Sequence, residues 1–405
     1  MTIQYDPQAE SERPVRLPDA PIQELGPGIK LQPPLSRRGH GPGVIAVLPS
    51  RLSLRPHAKC GLKTPLDPDP VQKWAEEGFA VVGVQLSANS DITETLAVAI
   101  AGLESCPDVD NKGRYAVLVY DPSAVESIVA SMPSQPALVA LIVHGSSPSW
   151  APVPVLAHLP GDVDAEQESD SADMKICSYG NAESSYFVVP SAGPKAYSPT
   201  DAAIAHTRSL VFLRERLGGP YFDLEQIWEE HTHYEFVDRS VSKTMGTMVA
   251  EPYVNHVPTM TGGVGREALF EFYRDHFIFS NPDSAELTTV SRTIGADRVV
   301  DEFIYSCTHD RMIDWLLPGV PPSGSKLRIP MIAVVNIRGD RLYHEHIWWD
   351  QATALQQAGF LPTYVPTPQG KLRLPVGGNA SADMLLDETA HESNEMFGPD
   401  WGVQP

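Results

Sequence analysis

The residues best suited to chemistry are histidines, and they are concentrated in one part of the chain. Histidine titrates near neutral pH, so a group of imidazoles is suited to moving protons in acid–base catalysis. Seven of the 13 histidines fall within a short stretch of the second half: His231, His233, His256, His276, His309, His344 and His346. We therefore expect a catalytic site in this stretch.

A carboxylate in the same stretch is the candidate general base. Glu302 lies in an apolar run within a predicted strand over residues 298–308, and His309 follows that strand. Burial among apolar neighbours raises the pKa of a carboxyl group toward neutral pH, which suits a general base or acid. Successive side chains of a strand point to opposite faces, so Glu302 and His309 reach one pocket only if the strand twists or bulges between them.

Further polar residues complete the predicted catalytic set. His231 lies on the apolar stripe of a predicted helix over residues 223–237, which turns its imidazole toward the interior. His256 and His309 are candidate donors or proton relays, and Asp350 is placed to orient an imidazole as a carboxylate does in a catalytic triad. The predicted catalytic residues are Glu302, His309, His256, His231 and Asp350.

Aromatic side chains beside these groups predict a wall for a flat or polycyclic substrate. The predicted substrate-binding residues are Tyr253, Trp315, His346 and Trp349. The pair His344 and His346 on the last strand has a spacing that can bind a metal ion, but no third ligand stands at a fixed spacing from it. We therefore predict no metal and no cofactor.

The elements that position these residues indicate an α+β domain over residues 220–362, because helical patterns come first and long strands follow. Helices are predicted over residues 223–237, 240–249 and 266–277, and strands over 287–294, 298–308, 327–337 and 342–349. Three helices folded over a curled antiparallel sheet form a cone with a closed apex and an open mouth. The interior of such a cone is a pocket.

Residues 41–219 have a different pattern, in which short apolar strands alternate with helices. Strands are predicted over residues 44–48, 79–86, 115–120, 137–144 and 153–158, and helices over 70–78, 92–103, 124–131 and 198–217. Fully apolar strands suit a parallel sheet that is buried on both faces, so this domain is predicted to be an α/β sandwich. The Pro-rich residues 1–40 are predicted to be an extended arm outside the two folds. Residues 363–405, which include the acidic stretch 383–395, are predicted to be a wrapping arm with one short turn near 382–386.

The order of elements in the α/β domain resembles the dienelactone hydrolase branch of the α/β-hydrolase family, but its catalytic triad is degenerate. The strand 115–120 leads to Ser123, which has no flanking glycine for a nucleophile elbow, so we expect it to be a helix N-cap. The acid loop at 161–164 is retained. The segment 188–194, where the family places its histidine, contains none. His144 and His158 end strands and are expected to be structural, so the domain is predicted to be catalytically silent.

The cone resembles the SnoaL-like polyketide cyclase branch of the ketosteroid-isomerase-like superfamily. The resemblance is carried by segments 228–231, 253–258, 262–263, 272–273, 308–310, 317–320 and 345–351. It implies a carboxylate or histidine that moves a proton next to a carbonyl group, giving cyclisation, isomerisation or dehydration. Epoxide hydrolysis in this superfamily uses an Asp–Arg–Asp set. Arg298 and Arg328 stand near strand starts, where solvent is the expected environment, so that alternative is less favoured.

Composition narrows the possible partners. The 30 Lys and Arg against 51 Asp and Glu give a formal net charge of -21, which repels nucleic acid and anionic membranes. No apolar run is long enough to span a bilayer, and no secretory signal is evident, so a cytoplasmic location is expected. The four cysteines are scattered and are expected to be free thiols. Exposed valines and isoleucines on the cone sheet favour a homodimer.

Together these observations predict an α/β hydrolase-like sandwich followed by an α+β ketosteroid-isomerase-like cone. The predicted function is that of a cofactor-independent cyclase, isomerase or lyase acting on a small hydrophobic carbonyl compound, such as a polyketide or terpenoid intermediate of secondary metabolism. Two alternatives remain: a non-catalytic protein that binds such a ligand, and a hydrolase of a lactone or an epoxide.

Overall fold

The structure is a computed structural model that describes residues 4–49, 66–87, 90–162 and 173–404. The chain divides into two compact units. The α/β unit comprises Pro18–Asp223 and Arg338–Asp340, and the cone unit comprises Met1–Leu17, Leu224–Ile337 and Arg341–Pro405. No helix in the described ranges is long and apolar enough to cross a membrane.

The α/β unit is built on one sheet, to which the described residues contribute nine strands. The strands are β1 (Gln23–Gly26), β2 (Ile29–Gln32), β3 (Gly41–Leu48), β4 (Ala80–Gln85), β5 (Val109–Asp110), β6 (Tyr115–Val119), β7 (Leu138–His144), β8 (Val155–Pro160) and β9 (Met174–Tyr179). Their order is β1-β2-β4-β3-β6-β7-β8-β9, with β5 beside β3. Strand β2 runs antiparallel to β1 and β4, and the other pairs are parallel.

Helices cover both faces of this sheet, which explains why its central strands are apolar throughout. The helices are α1 (Pro70–Glu76), α2 (Ile92–Ser105), α3 (Val125–Ser131) and α4 (Pro199–Leu217). One apolar core packs α2 and α3 against the sheet, and a second packs α1 and α4 against the opposite face. The predicted α/β layering is therefore observed.

The prediction that residues 1–40 lie outside the fold is wrong. Strands β1 and β2 form a hairpin whose turn contains Gly28, with φ +73°, and whose residues Ile29 and Leu31 are buried. Farther upstream, the buried carboxylate of Glu12 accepts hydrogen bonds from the amides of Val241 and Ser242 at the start of a cone helix. The prolines of this segment concealed the alternation Ile-Lys-Leu-Gln that marks β2.

The cone unit contains a mixed sheet, to which the described residues contribute six strands. They are β10 (Met248–His256), β11 (Thr261–Val264), β12 (Glu286–Ile294), β13 (Arg298–Thr308), β14 (Lys326–Arg338) and β15 (Arg341–Trp349), in the order β11-β10-β15-β14-β13-β12. The helices are α5 (Leu224–Phe236), α6 (Val241–Gly246), α7 (Arg266–Phe272) and α8 (Gln351–Gln357). Helix α7 continues into one π-helical turn, Tyr273–Phe277.

Two cone strands, β10 and β11, were not predicted. The helix expected over 240–249 ends at Gly246, and β10 begins two residues later and pairs in parallel with β15. Downstream of the cone, β16 (Tyr364–Thr367), β17 (Gly370–Arg373) and β18 (Gly402–Gln404) form a small antiparallel sheet. The short turn expected near 382–386 is part of helix α9 (Asn379–Leu386). The tail is therefore more ordered than an extended arm.

The cysteines agree with the sequence prediction as far as the structure describes them. Cys106, Cys177 and Cys307 are free and buried. Cys60 lies outside the described residues. The described thiols therefore contribute to packing.

Candidate active site

The cone encloses a cavity between helix α5 and the inner face of the sheet. Its empty volume is about 370 Å³, including the open mouth. Most of the lining is apolar and aromatic, and two of its members are carboxylates. The lining residues are Trp228, Thr232, Glu235, Phe236, His256, Phe277, Leu287, Phe303, Tyr305, Trp315, Met331, Glu345 and Ile347.

Two of the lining carboxylates share one buried imidazole. His231 and Glu235 lie one turn apart on α5, which places them on the same side of the helix. Glu345 reaches them from β15. The Nε2 atom of His231 is 3.1 Å from Oε1 of Glu235 and 3.0 Å from Oε1 of Glu345. All three side chains are at most 3% exposed.

The imidazole is fixed by its other nitrogen. The Thr247 hydroxyl donates to the carbonyl oxygen of Thr244 at 2.7 Å, so it accepts from Nδ1–H of His231 at 2.6 Å. The Tyr273 hydroxyl donates to Oε1 of Glu345 at 3.2 Å. The polar groups around the two carboxylates are therefore satisfied on the side away from the cavity.

The charges in this cluster are unequal in number. Burial alone lowers the pKa of His231, but the carboxylates of Glu235 and Glu345 outweigh it and raise the pKa to about 10. His231 is therefore a cation at neutral pH. Burial raises the pKa of Glu235, and the neighbouring Glu345 carboxylate adds to that rise while His231 opposes it. Two acids thus compete for one cation, and burial favours the protonated form of Glu235.

His256 contributes an uncharged imidazole to the cavity wall. Burial lowers its pKa to about 4, against smaller opposing effects from Glu345 and a backbone group of Thr261. Neither ring nitrogen has a hydrogen-bond partner of normal geometry within the described part of the chain. Its ring is packed among Phe272, Phe277 and Trp315. A buried imidazole with no partner is a candidate for contacting a ligand.

The aromatic walls are held in place from behind by Asn281, which is fully buried. Its Oδ1 accepts from the hydroxyl of Tyr305 at 2.9 Å and from Nε1 of Trp315 at 3.1 Å. Its Nδ2 donates to the carbonyl of Phe277 at 2.9 Å. The polar atoms of both aromatic side chains are thereby turned to Asn281, and the cavity is lined by rings.

Four of the predicted site residues are at or beside this cavity. His256 and Trp315 line it, and His231 lies directly behind its two carboxylates. Trp349 packs against the wall, with its ring 5.8 Å from that of His256 and 5.5 Å from that of Trp315. The roles assigned to these residues stay predictions.

The structure places the predicted base and two predicted partners elsewhere. Glu302 lies on the outer face of β13, where it accepts from the Ser291 hydroxyl at 2.8 Å, because Phe303 and Tyr305 take the inner face. His309 is buried beyond the end of the strand, with Nδ1 3.1 Å from the Ser323 hydroxyl. Asp350 accepts from the amides of Ala352 and Thr353 and caps α8. None of the three faces the cavity.

Two predicted substrate-binding residues lie on the outer face of the sheet. Tyr253 and His346 are on neighbouring strands, and the Tyr253 hydroxyl is 3.0 Å from Nε2 of His346. Glu345 and Ile347, which flank His346 in the sequence, take the inner face. Strand alternation puts Glu345 and Ile347 on one face and His346 on the other. The prediction that Tyr253 and His346 bind substrate takes the outer face for the inner one.

Glu345, Glu235 and Tyr273 are the residues that sequence reasoning missed. Glu235 follows His231 by four residues, which is the spacing of side chains that meet on a helix. Strand alternation puts Glu345 on the same face of β15 as Ile347 and Trp349, and that face is the inner one. No sequence signal places Tyr273, because its position depends on the π-helical turn that follows α7.

The same cluster has a donor set that a metal ion can use. Nε2 of His231 and the carboxylate oxygens of Glu235 and Glu345 lie within 4.8 Å of one another. In the structure, hydrogen bonds join these atoms directly. The pair His344 and His346 gains no third ligand among the residues that the structure describes. The absence of a metal cofactor therefore stays a prediction.

The triad positions of the α/β unit do not form a catalytic group in the described ranges. Asp121, not Ser123, caps the turn: its Oδ1 accepts from the Ser123 amide at 3.1 Å and hydroxyl at 2.6 Å, so the N-cap prediction for Ser123 is wrong. Asp162 is described, but 163 and 164 of the acid loop lie outside the described residues. His144 bonds through Nδ1 to the Val119 carbonyl, and His158 bonds to Tyr179 and Ser209, as expected of structural histidines.

Beside these histidines, the α/β unit buries a second set of charges, and here anions and cations are matched. Asp67 bonds to Nζ of Lys73 at 2.6 Å and to Nη2 of Arg338 at 2.8 Å. Glu77 bonds to Nε2 of His206 at 2.7 Å. Burial opposes ionisation of Asp67, but Lys73 and Arg338 hold its pKa at about 2.

The cavity, the enclosing helices and the six described strands define a ketosteroid-isomerase-like, or NTF2-like, α+β fold for the C-terminal region. More particularly, residues 230–358 form a SnoaL-like domain, because the model of the SnoaL-like polyketide cyclase family matches them. The resemblance stated for the cone is thereby supported. The dienelactone-hydrolase resemblance of the first domain stays a prediction.

Several solved structures resemble the C-terminal region at low identity. A protein assigned as a SnoaL-like polyketide cyclase from Jannaschia sp. CCS1 is 17% identical, with 36% of this chain and 100% of that chain covered and a TM-score of 0.29. TsrD from Streptomyces laurentii is 16% identical, with 35% and 100% covered and a TM-score of 0.29. An NTF2-like protein of unknown function from Burkholderia pseudomallei K96243 is 12% identical, with 33% and 95% covered and a TM-score of 0.26. No curated protein matches the chain.

Proposed function

We propose that the cone is a cofactor-independent acid–base enzyme that moves a proton next to the carbonyl group of a small hydrophobic compound. Cyclisation, isomerisation and dehydration all use such a step. The observation that carries the proposal is that two carboxyl groups, Glu235 and Glu345, line one largely apolar cavity and share one imidazole. The SnoaL-like assignment of residues 230–358 agrees with this class of chemistry.

The contacts of the two carboxyl groups assign them different roles. Glu345 accepts from the Tyr273 hydroxyl and lies against the cationic His231, and we assign it the role of the base. Glu235 favours its protonated form and acts as the acid. Glu345 removes the proton from the carbon beside the carbonyl group, the bonding electrons move toward the carbonyl oxygen, and Glu235 donates its proton to that oxygen.

His231 is suited to resetting the pair after each step. Its Nδ1–H is held by Thr247, and its Nε2 is about equally far from the two carboxylates. A proton gained by Glu345 can therefore return to Glu235 through Nε2 without any large movement. His256, with both nitrogens unpartnered in the described structure, is a second candidate donor to the substrate oxygen.

The test is exchange of hydrogen for deuterium beside the carbonyl group of uncharged aryl ketones, followed by NMR in D₂O. Loss of the base in Glu345→Gln is expected to slow enzyme-dependent exchange by about 10²- to 10⁴-fold. Glu302→Gln makes the same chemical change on the outer face and is expected to leave the rate unchanged. A Glu345→Gln variant that folds normally and keeps the wild-type rate would contradict the proposal.

A non-catalytic ligand carrier is the second candidate function, because most of the cavity lining is apolar. A carrier would bind the same ketones but exchange no hydrogen above the buffer rate. The epoxide-hydrolase alternative is less favoured, since the described lining contains neither the aspartates nor the arginine of an Asp–Arg–Asp set. Arg328 pairs instead with Asp383 of α9.

We also propose that the protein is a homodimer that pairs through the outer face of the cone sheet. Val300 and Ile332 lie on that face with 37% and 43% of their surface exposed. A face of partly exposed apolar side chains is typical of an interaction surface. Light scattering is expected to give the dimer mass at micromolar concentration, and a monomer mass would count against the pairing.

A further inference from the structure

The cavity of the cone is unusual in the charge that it presents to a ligand. Two carboxylates, Glu235 and Glu345, line it, and no lysine or arginine is among its described lining residues. The cation between the carboxylates, His231, is completely buried behind them. When both carboxylates are ionised, one negative charge has no counter-ion within the cluster. An uncompensated buried charge is costly, so a positively charged occupant would be favoured.

The aromatic side chains of the wall leave their rings, and not their polar atoms, for the ligand. Tyr305 and Trp315 donate to Asn281, and Nε1 of Trp228 donates to Asp301 at 2.9 Å. The Thr232 hydroxyl donates to the carbonyl of Trp228, within its own helix. The rings of Phe236, Phe277 and Phe303 carry no polar atoms, and His256 adds an uncharged imidazole to the lining.

We propose that this cavity binds a compact organic cation of the tertiary or quaternary alkylammonium class. Aromatic faces attract such a cation through their ring electrons, and a desolvated site strengthens that attraction. Glu235 gives up its proton when the cation enters and supplies the counter-charge, and the apolar lining accommodates the alkyl groups. Anions are disfavoured by both features. The inference uses the cavity and its charges and does not depend on the proton transfer proposed above.

Choline and 3,3-dimethylbutan-1-ol form a matched pair of probes, because the second has a carbon atom in place of the charged nitrogen. Titration calorimetry in buffer containing EDTA, which removes metal ions, would measure both with the full chain. The wild type is expected to bind choline about tenfold more tightly than the neutral alcohol, which corresponds to the strength of a desolvated cation–π contact. Equal binding of the two probes, or binding of neither, would overturn the inference.

Two variants locate the preference. Glu235→Gln is expected to remove most of the preference for choline while the neutral alcohol binds as before. Glu302→Gln removes the same charge from the outer face and is expected to keep the full preference. An equal loss in the two variants would show a long-range effect of net charge and would contradict a cavity site.

A third variant covers the case in which Glu235→Gln does not fold. Phe303→Leu keeps the wall apolar and removes one ring, so it is expected to weaken choline binding more than alcohol binding. Ketone exchange could depend on Glu345 while neither the wild type nor Phe303→Leu binds choline more tightly than the alcohol. That result would contradict the cation site and leave the proposed function standing. If the wild type binds choline more tightly than the alcohol but exchanges no ketone hydrogen, the cation site stands and the proposed proton transfer is contradicted.

Discussion

Both units bury charged side chains, but they differ in how the charges are balanced. In the α/β unit, Asp67 contacts two cations, Lys73 and Arg338, at hydrogen-bond distance. In the cone, two carboxylates compete for the single imidazole of His231. Matched charges hold each other in one ionisation state, whereas an excess carboxylate can gain or lose a proton at little cost.

This difference indicates where chemistry is possible. The pKa of Asp67 is held at about 2, so it stays an anion at every physiological pH. In the cone, Glu235 has a raised pKa and lines the cavity, so its proton is available to a ligand. A perturbed pKa at a cavity is the usual mark of a functional group, and matched buried pairs are a mark of structure. The two units are therefore expected to respond differently to substitution and to pH.

The largest expected effect is on stability, from breaking a matched pair. Asp67→Asn leaves Lys73 buried without its bonded anion, while Arg338 keeps Glu76, and loss of one partner of a buried pair costs about 3–5 kcal/mol of unfolding free energy. Chemical denaturation would measure the loss. Glu24→Gln is the control, because its pair with Lys30 is exposed and is worth at most about 1 kcal/mol. Equal losses in the two variants would contradict a structural role for the matched cluster.

The next effect is a loss of stability at alkaline pH that originates in the cone. The pKa of His231 is about 10 in the folded protein, above the ordinary value of 6.5. Its contribution to stability is therefore complete below about pH 6.5 and is lost as the pH rises through about 10. Urea unfolding at pH 7 and pH 10 is expected to show a smaller difference for His231→Gln than for the wild type. A difference as large as the wild type's would contradict a cationic His231.

A smaller effect of opposite sign is expected from His256. Burial lowers its folded pKa to about 4, so stability is present above pH 6.5 and is lost as the pH falls toward 4. His256→Phe removes the titrating group and keeps a ring in the aromatic wall. The variant is expected to lose less stability than the wild type between pH 6.5 and pH 4.5, as measured by urea unfolding. His276→Phe, at an exposed position, is a control for the loss of an imidazole.

The smallest effect, and in practice none, is expected from Ser123 in the α/β unit. Its hydroxyl donates to Asp121, and among the described residues no imidazole hydrogen-bonds to it. Assays with a simple aryl ester and a dienelactone are expected to give the same rate for Ser123→Ala as for the wild type. Rapid turnover that disappears in this variant would show a working nucleophile and would remove the contrast between the two units.

The fold class was largely predictable from sequence, but single-strand patterns could not say which face of the cone sheet is inside. The alternation in β15 separates Glu345 from His346, yet both faces carry apolar and polar residues. On β13, Glu302 has apolar neighbours along the chain, but its side chain points away from the cavity that Phe303 lines. Only the curl of the whole sheet under α5 decides the inner face.

The candidate site was predictable where the spacing is local and not where it depends on long-range packing. His231 was placed inward from the stripe of α5, and the same helical spacing points to Glu235. The meeting of α5 with Glu345 joins residues more than a hundred positions apart, and Tyr273 joins them from 42 positions after His231 and 72 before Glu345. Asp350 was expected to orient an imidazole, but a carboxylate just before a helix more readily caps it, as the structure shows.

The central claim is that two cavity carboxylates hold His231 as a cation, and histidine NMR tests it most directly. In protein labelled with ¹⁵N-histidine, an imidazolium has both ring nitrogens protonated and is distinguished from the neutral tautomers. We predict one imidazolium signal that persists at pH 8 in the wild type and is lost in the folded double variant Glu235→Gln/Glu345→Gln. Absence of this signal at pH 8 in the wild type, or its persistence in the double variant, would contradict the account.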